Sequence, residues 1–114
     1  MSKEITTESG LKYTITKHGK GEQPVKGSHV GVHYVGKLSD GQIFDTSRKG
    51  KPFYFYLGLG EVIEGWDEGI SLLRVGDEAT FTIPADLAYG DEGAGPLIKA
   101  GTTLIFDVEL MVVK

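Results

Sequence analysis

The chain has 114 residues, of which 39% are hydrophobic and 25% are charged, so it can form one hydrophobic core of ordinary size. Its net charge of −4 provides no basic surface for a phosphate backbone, and we expect no nucleic-acid partner. The sequence has no cysteine, which excludes disulfides, thiolate nucleophiles and cysteine metal sites. We expect neither a metal nor a cofactor.

The first ten residues are polar and show no periodic pattern, so residues 1–10 are predicted to be an N-terminal tail, with disorder as an open alternative, outside a domain that spans residues 11–114. This segment lacks the apolar run of about seven residues or more that a secretory signal needs. The longest apolar stretch, near residues 110–113, is far shorter than the ~20 residues that cross a bilayer. We therefore expect a cytoplasmic protein that does not bind membranes. The sequence is silent on oligomeric state, and a monomer is the default expectation.

Alternation of apolar and polar residues predicts strands of a sheet with one buried face. The predicted strands cover residues 11–16, 29–37, 43–45, 53–57, 78–83 and 104–113. Asp40 and Gly41 predict a hairpin turn of type I′, in which both central residues have positive φ. Residues 84–101 contain several glycines and prolines and little periodicity, which predicts a long and functional loop.

One short amphipathic helix is predicted between Glu61 and Gly76. Within this segment Trp66, Ile70 and Leu73 recur at spacings of four and three, which places them on one helical face, and Gly76 would end the helix. One helix and several antiparallel strands indicate an α+β fold in which the sheet curls over the helix.

Two patterns that could indicate other chemistry are weak. Gly31–Lys37 matches the first seven places of a phosphate-binding loop, but Leu38 stands where a serine or threonine is needed. His29 and His33 would make a metal pair on a helix, but on the predicted strand they stand about 13 Å apart and cannot share one ion. Both histidines are expected at the solvated surface.

Asp45 is the one acidic residue that the local pattern singles out. It follows Phe44 in an otherwise apolar segment, where a carboxylate is costly unless it finds a hydrogen-bonding partner. The residues alone leave open a turn cap, an ion pair with Arg48 and a functional role.

Several separated blocks of the sequence resemble the FKBP-type peptidyl-prolyl isomerases, which catalyse rotation about the peptide bond before proline. These blocks are Val32-His33-Tyr34, Gly41 to Ser47, Val62 to Gly69, Ala88-Tyr89-Gly90 and Leu104 to Leu110. The resemblance covers residues 11–114 in the right order. It implies an antiparallel half-barrel sheet of five or six strands wrapped around one short helix, similar to what the periodicity predicts.

The resemblance also implies an apolar aromatic pocket that binds proline without a cofactor. Its catalytic residues would be Tyr34, Phe44, Asp45, Tyr89 and Phe106. Its substrate-binding residues would be Phe53, Val62, Ile63, Trp66, Leu97 and Ile98. Trp66 would form the floor, and the Tyr89 hydroxyl and the Ile63 N–H would donate hydrogen bonds to the substrate's carbonyls. Without the resemblance, burial of large rings in a core would explain the same aromatic residues.

The implied partners are proline-containing peptides, unfolded proteins and the macrolides tacrolimus and rapamycin. The chain departs from the family pattern at Ala94, where many members have histidine, and at Lys99 and Ala100, where two prolines are common. Residues 48–52 are also one residue shorter than usual. A binding module of the same fold without catalysis, or a purely structural interaction protein, remains an alternative.

Overall fold

The computed structural model describes residues 3–94 and 98–114. Within these residues the elements are, in chain order, β1 (Ile5–Thr6), β2 (Lys12–Lys17), β3 (His29–Leu38), β4 (Ile43–Thr46), β5 (Phe53–Tyr56), α1 (Glu64–Ile70), β6 (Glu78–Ile83), a short 3₁₀ helix (Ala85–Leu87) and β7 (Leu104–Val113). The predicted α+β class, with an antiparallel sheet and a single short α-helix, is confirmed for the described part of the chain.

The strands form one antiparallel sheet in the order β1-β2-β6-β7-β3-β4, and β5 pairs with the same side of β3 as β4 does. β3 pairs with β7 along nearly its whole length; on its other side its first half pairs with β5 and its second half with β4. The described chain thus has seven strands instead of the predicted five or six. The additional strand, β1, lies in the predicted tail and pairs with β2, so this segment is part of the sheet.

The core lies between one face of the sheet and α1, and the strand alternation explains which side chains fill it. Along β6, Ala79, Phe81 and Ile83 are buried, while the residues between them are partly exposed. β7 repeats this pattern over its first seven residues. Side chains that alternate across a strand therefore supply one continuous apolar face, and the bounds predicted for these two strands are confirmed.

Two glycines allow α1 to pack closely on this face. A Cβ atom at Gly65 would lie 2.6 Å from Cγ2 of Ile83, and one at Gly69 would lie 2.9 Å from Cζ of Phe81. Such distances are shorter than carbon atoms tolerate, so any larger residue would push the helix away from β6. The side of α1 that contacts the sheet is therefore partly backbone.

The helix ends at Ile70, earlier than the predicted end at Gly76. The N–H groups of Leu72 and Leu73 bond to the carbonyls three residues before them, so the chain tightens into turns after Ile70. Leu73 is nevertheless fully buried, which is why the apolar spacing continues beyond the helix. Gly76, with φ of 97°, donates to the Leu110 carbonyl and leads into β6.

The β3–β4 hairpin is confirmed, but its turn is not of type I′. Gly41 has φ of 92°, whereas none of the described non-glycine residues, Asp40 included, has positive φ. The Asp40 carboxylate accepts a hydrogen bond from the Gln42 N–H, and the Leu38 carbonyl accepts one from the Gly41 N–H. This side-chain hydrogen bond stabilises a turn that needs positive φ at the glycine alone.

The long loop between β6 and β7 contains the 3₁₀ helix and, further on, an isolated bridge between Ala94 and Ile98. The seven-residue α1 is the longest helix in the described ranges, and no helix there has the length and apolarity needed to span a membrane.

Candidate active site

A cavity of about 280 Å³ opens to solvent on one side, and its volume is just below the roughly 300–1,000 Å³ typical of ligand sites. Its lining residues are Tyr34, Phe44, Asp45, Phe53, Glu61, Val62, Ile63, Trp66, Tyr89 and Phe106. All of them except Glu61 are residues that the family resemblance implied. The fold thus assembles side chains from β3, β4, β5, β7, α1 and two loops around one opening.

Trp66 lies in α1 and is only 5% exposed. Its ring centroid is 4.9 Å from that of Tyr34 and 5.2 Å from that of Phe106, and both pairs meet edge to face. Phe53 and Phe55 of β5 contact it from another side, at 6.1 and 5.9 Å. Edge-to-face packing of this kind fixes ring orientation in addition to burying area. Trp66 is therefore both a core residue and part of the cavity wall.

The Tyr34 hydroxyl donates a hydrogen bond of 2.6 Å to the Asp45 carboxylate. Burial, together with the hydrogen bond to Asp45 and its negative charge, raises the pKa of the Tyr34 hydroxyl well above its ordinary value. This hydroxyl therefore remains protonated at neutral pH. The other Asp45 oxygen accepts the Thr46 N–H at 2.9 Å, so both oxygens of the carboxylate have a donor.

The backbone of Tyr34 is also hydrogen-bonded to Thr46, the last residue of β4, and to Ser47, which follows it. Its N–H donates to the Ser47 hydroxyl at 2.8 Å, and its carbonyl accepts hydrogen bonds from the Ser47 N–H and the Thr46 hydroxyl, each at 3.0 Å. These bonds fix the start of the Tyr34 side chain, while Asp45 fixes its end. The ring has little freedom to leave the cavity wall.

Phe44 and Phe106 meet edge to face at 5.5 Å above Gly36. A Cβ atom at Gly36 would lie 2.7 Å from Phe44 and 2.8 Å from Phe106, so only glycine leaves room for this pair. Gly36 belongs to none of the site residues that the sequence indicated. Its place in the middle of a predicted strand was the available signal, because glycine there often marks a close approach.

The loop between β5 and α1 presents Val62 and Ile63 to the cavity, and Asp67 of α1 holds it in place. The Asp67 carboxylate accepts the Gly58 N–H at 2.8 Å and the Gly60 N–H at 3.1 Å. Both glycines have positive φ, 81° and 76°, which other residues adopt at a cost. This loop therefore has a defined conformation although it lies outside the helices and strands.

Two hydrogen-bond donors at the cavity remain available to a ligand. The Ile63 N–H immediately precedes α1 and has no acceptor among the described residues, and the same is true of the Tyr89 hydroxyl. The indole N–H of Trp66 is buried and also has no acceptor in this part of the chain. The first two donors are those that the resemblance assigned to the substrate's carbonyls.

Three sequence-based interpretations have other outcomes. Ile98 does not line the cavity: it is 7% exposed, belongs to the core and pairs with Ala94 through the backbone. Leu97 lies outside the described residues. The ion pair considered between Asp45 and Arg48 does not form, because the Arg48 guanidinium binds Glu109 at 2.8 Å.

The electrostatics of the cavity are simple. The charged groups in its lining, within the described ranges, are the carboxylates of Asp45 and Glu61, and the other lining side chains are aromatic or aliphatic. The described residues contain no group of three or more histidine or acidic side chains that could hold a metal ion. The arrangement offers a shaped apolar surface with a few fixed hydrogen-bond donors.

Comparison with known protein families and curated sequences gives a consistent result. A family model described as FKBP-type peptidyl-prolyl cis-trans isomerase matches residues 20–111. FK506-binding protein 1 of Dictyostelium discoideum is 50% identical over 106 residues, which are 92% of this chain and 99% of that protein. The probable FKBP-type peptidyl-prolyl cis-trans isomerase FkpA of Neisseria meningitidis serogroup B is 52% identical over 107 residues, but these are only 39% of that protein.

Solved structures agree with the sequence comparison. The crystal structure of AtFKBP13 matches with a TM-score of 0.93 and 40% identity, covering 98% of this chain and 99% of that one. The crystal structure of a peptidyl-prolyl cis-trans isomerase from Pseudomonas syringae pv. tomato matches with a TM-score of 0.89 and 39% identity, covering 97% and 80%. The fold seen here is therefore the fold of those proteins.

Proposed function

The chain belongs to the FKBP-type peptidyl-prolyl cis-trans isomerase family, and we propose that it accelerates rotation about X–Pro bonds by holding the proline ring in the aromatic cavity. The observation that carries this proposal is the cavity itself. It is open on one side, lined by aromatic and aliphatic side chains, and bordered by hydrogen-bond donors without partners in the described part of the chain. A core built only for stability would close such an opening.

The chemical problem is the resonance of the amide. Rotation about a peptide bond has a barrier of about 18–20 kcal/mol, and uncatalysed X–Pro exchange takes tens to hundreds of seconds. The transition state is a twisted amide with less charge separation than the planar one. An apolar site that excludes water and fits the twisted form stabilises it preferentially, and each ~1.4 kcal/mol of that preference gives a tenfold rate increase.

The residues have distinct parts in this proposal. Tyr34, Phe44 and Phe106 form the walls around the pyrrolidine ring, and Trp66 forms the floor. The Ile63 N–H and the Tyr89 hydroxyl hold two substrate carbonyls, so that the bond between them can rotate while both ends are bound. Asp45 orients Tyr34 and is not required to transfer a proton, because no bond is broken in the reaction.

The proposed substrates are proline-containing peptides and unfolded proteins, for which the isomerase would assist folding. We also propose that tacrolimus and rapamycin bind in the same cavity, since a relative that is 50% identical bears the name FK506-binding protein 1. Ala94 and Lys99 lie in the long loop between β6 and β7 and differ from the family pattern. These differences would affect the affinity for the macrolides. The expected cytoplasmic location and monomeric state remain predictions, and cell fractionation and analytical ultracentrifugation would test them.

The deciding experiment is an NMR exchange measurement on a proline tetrapeptide, with and without the protein. We expect the cis and trans signals to exchange faster by several orders of magnitude than in the free peptide. A parallel titration that follows Trp66, the sole tryptophan of the sequence, reports binding separately. A change in Trp66 emission without faster exchange would support a binding module instead. The absence of both a change in emission and faster exchange would contradict the proposed site.

A further inference from the structure

Glu61 is the cavity residue that the family resemblance did not imply. It follows the two positive-φ glycines of the β5–α1 loop, and its side chain is exposed at the opening. One of its oxygens accepts the backbone N–H of Tyr56 at 2.9 Å, which directs the carboxylate along the rim instead of leaving it free in solvent. A negative charge thus has a defined position beside the proline site.

No described residue forms an ion pair with Glu61. Its second carboxylate oxygen has no hydrogen-bond donor among them either. Asp45, the other carboxylate of the lining, differs in this respect, because both of its oxygens already accept hydrogen bonds. Glu61 therefore has one carboxylate oxygen without a donor among the described residues, and this oxygen is open to a cationic group of a ligand.

We propose that Glu61 is a specificity-determining residue that favours substrates with lysine or arginine next to the proline. This inference rests on the proposed function, because it assumes that an X–Pro peptide occupies the cavity. A basic side chain flanking a proline bound in the cavity would extend towards its opening, where the exposed Glu61 carboxylate lies. An acidic side chain there would meet a like charge, and the chain's net charge of −4 adds to that repulsion.

The size of the effect follows from the exposure of the pair. Ion pairs in contact with solvent are weak and are screened by salt. We therefore expect kcat/KM for a lysine peptide to exceed that for the matched norleucine peptide by about two- to fivefold at low salt. The glutamate peptide should be the poorest of the three.

The test compares proline tetrapeptides that carry lysine, norleucine or glutamate immediately before or immediately after the proline. Each is measured with the wild type, with Glu61→Gln and with Glu64→Gln, by NMR exchange at low salt and at about 0.5 M salt. Glutamine at position 61 can still accept the Tyr56 N–H, so the loop keeps its hydrogen bond. Glu64→Gln is the matched control. Glu64 is exposed, begins α1 and does not line the cavity, so its substitution removes one negative charge close to the cavity but outside its lining.

We expect the lysine-to-norleucine ratio to exceed one in at least one of the two peptide series for the wild type and for Glu64→Gln. It should fall towards one for Glu61→Gln and for the wild type at high salt. A ratio of one for the wild type in both series, or equal ratios for the two variants, would overturn the role of Glu61. Activity on the norleucine peptides would show in either case that the proposed function holds, whereas inactivity on every peptide would remove both.

Discussion

The Tyr34 hydroxyl and the Asp45 carboxylate are joined by a 2.6 Å hydrogen bond that links β3 to β4 inside the cavity. Asp45 lies opposite Gly36 in the strand pairing and therefore diagonal to Tyr34, a spacing that long side chains can bridge. The sequence left open whether Asp45 caps a turn, pairs with Arg48 or has a functional role, and this bond favours the functional role. Its partner is a pocket tyrosine, which makes the carboxylate a group that orients the site.

If Tyr34 and Asp45 act as a unit, their removal should not be additive. We expect Tyr34→Phe and Asp45→Asn each to lower kcat/KM for a proline peptide by about tenfold, the loss of roughly 1.4 kcal/mol of transition-state stabilisation. The double variant should be about as active as the poorer single variant. Exchange kinetics of all three variants give the coupling, with Tyr54→Phe as the control, because Tyr54 is exposed and does not line the cavity. Fully additive losses would show that the hydrogen bond does not connect the two residues functionally.

The aromatic wall makes a second prediction. Phe44→Ala removes a ring that meets Phe106 edge to face and opens the cavity to water. We expect at least about a tenfold loss of kcat/KM, equivalent to about 1.4 kcal/mol, in a protein that still unfolds cooperatively. Tyr56→Ala removes an exposed ring outside the cavity and should leave turnover near that of the wild type. Unchanged activity in Phe44→Ala and in an Asp45→Ala variant would refute the pocket assignment.

The close approach of α1 to β6 is testable through stability. Gly69→Ala places a methyl group 2.9 Å from the Phe81 ring, and overpacking of this kind costs about 1–3 kcal/mol. Alanine's better helix propensity offsets about 1 kcal/mol of this cost, so we expect a net loss of up to ~2 kcal/mol. Urea unfolding followed by Trp66 fluorescence measures the change in unfolding free energy.

Gly50→Ala is the matched control for that measurement. A Cβ atom at Gly50 would meet nothing within 4 Å, and its φ lies outside the range that strains other residues. The same glycine-to-alanine change should therefore leave stability unchanged or slightly raised. A Gly69→Ala protein as stable as the Gly50→Ala protein would mean that the helix can move away from β6 at little cost.

Acid should weaken one particular ion pair. Burial alone would raise the pKa of the Asp107 carboxyl, but the hydrogen bonds from Lys37 and Thr80 and the positive charge of Lys37 outweigh it, and the pKa lies below its ordinary value. The folded state then binds the proton less readily than the unfolded state. The stability that Asp107 provides is present above the unfolded pKa of about 4 and is lost as the pH falls through the lower, folded pKa.

Unfolding free energies measured from pH 6 down to about pH 2 should therefore show Asp107→Asn approaching the wild type as the solution becomes more acidic. Lys37→Met removes the cationic partner and should diminish the same acid-dependent difference. A gap between wild type and Asp107→Asn that stays constant over this range would contradict the direction of the pKa shift.

The strands were predictable because the alternation of side chains repeats every two residues and burial follows it directly, as in β6 and β7. The end of the helix was not predictable, because Leu73 lies in a turn after the helix and is still buried. An apolar spacing reports burial and does not distinguish a turn from a helix. Likewise, the residue pair Asp40-Gly41 predicts a type I′ turn, but the hydrogen bond from the Gln42 N–H to the Asp40 side chain stabilises a different turn. The residue types alone do not show which of the two turns forms.

Most of the cavity lining was implied by the family resemblance, but three contributors were not. Gly36 acts by having no side chain, and Asp67 acts on backbone N–H groups seven and nine residues away. Glu61 reaches the rim only because the loop before it has a particular shape. Contributions of this kind depend on how the backbone folds, and residue types alone do not reveal them.

The hydrogen bonds from Gly58 and Gly60 to Asp67 also define which parts of the rim can be redesigned. Positions 58 and 60 need a residue that accepts positive φ, and position 67 needs a carboxylate, whereas Leu59 between them is 55% exposed. Substitutions at Leu59 should therefore leave the conformation of the loop undisturbed. Grafting a longer segment in place of these residues would instead detach the rim from the helix that supports it.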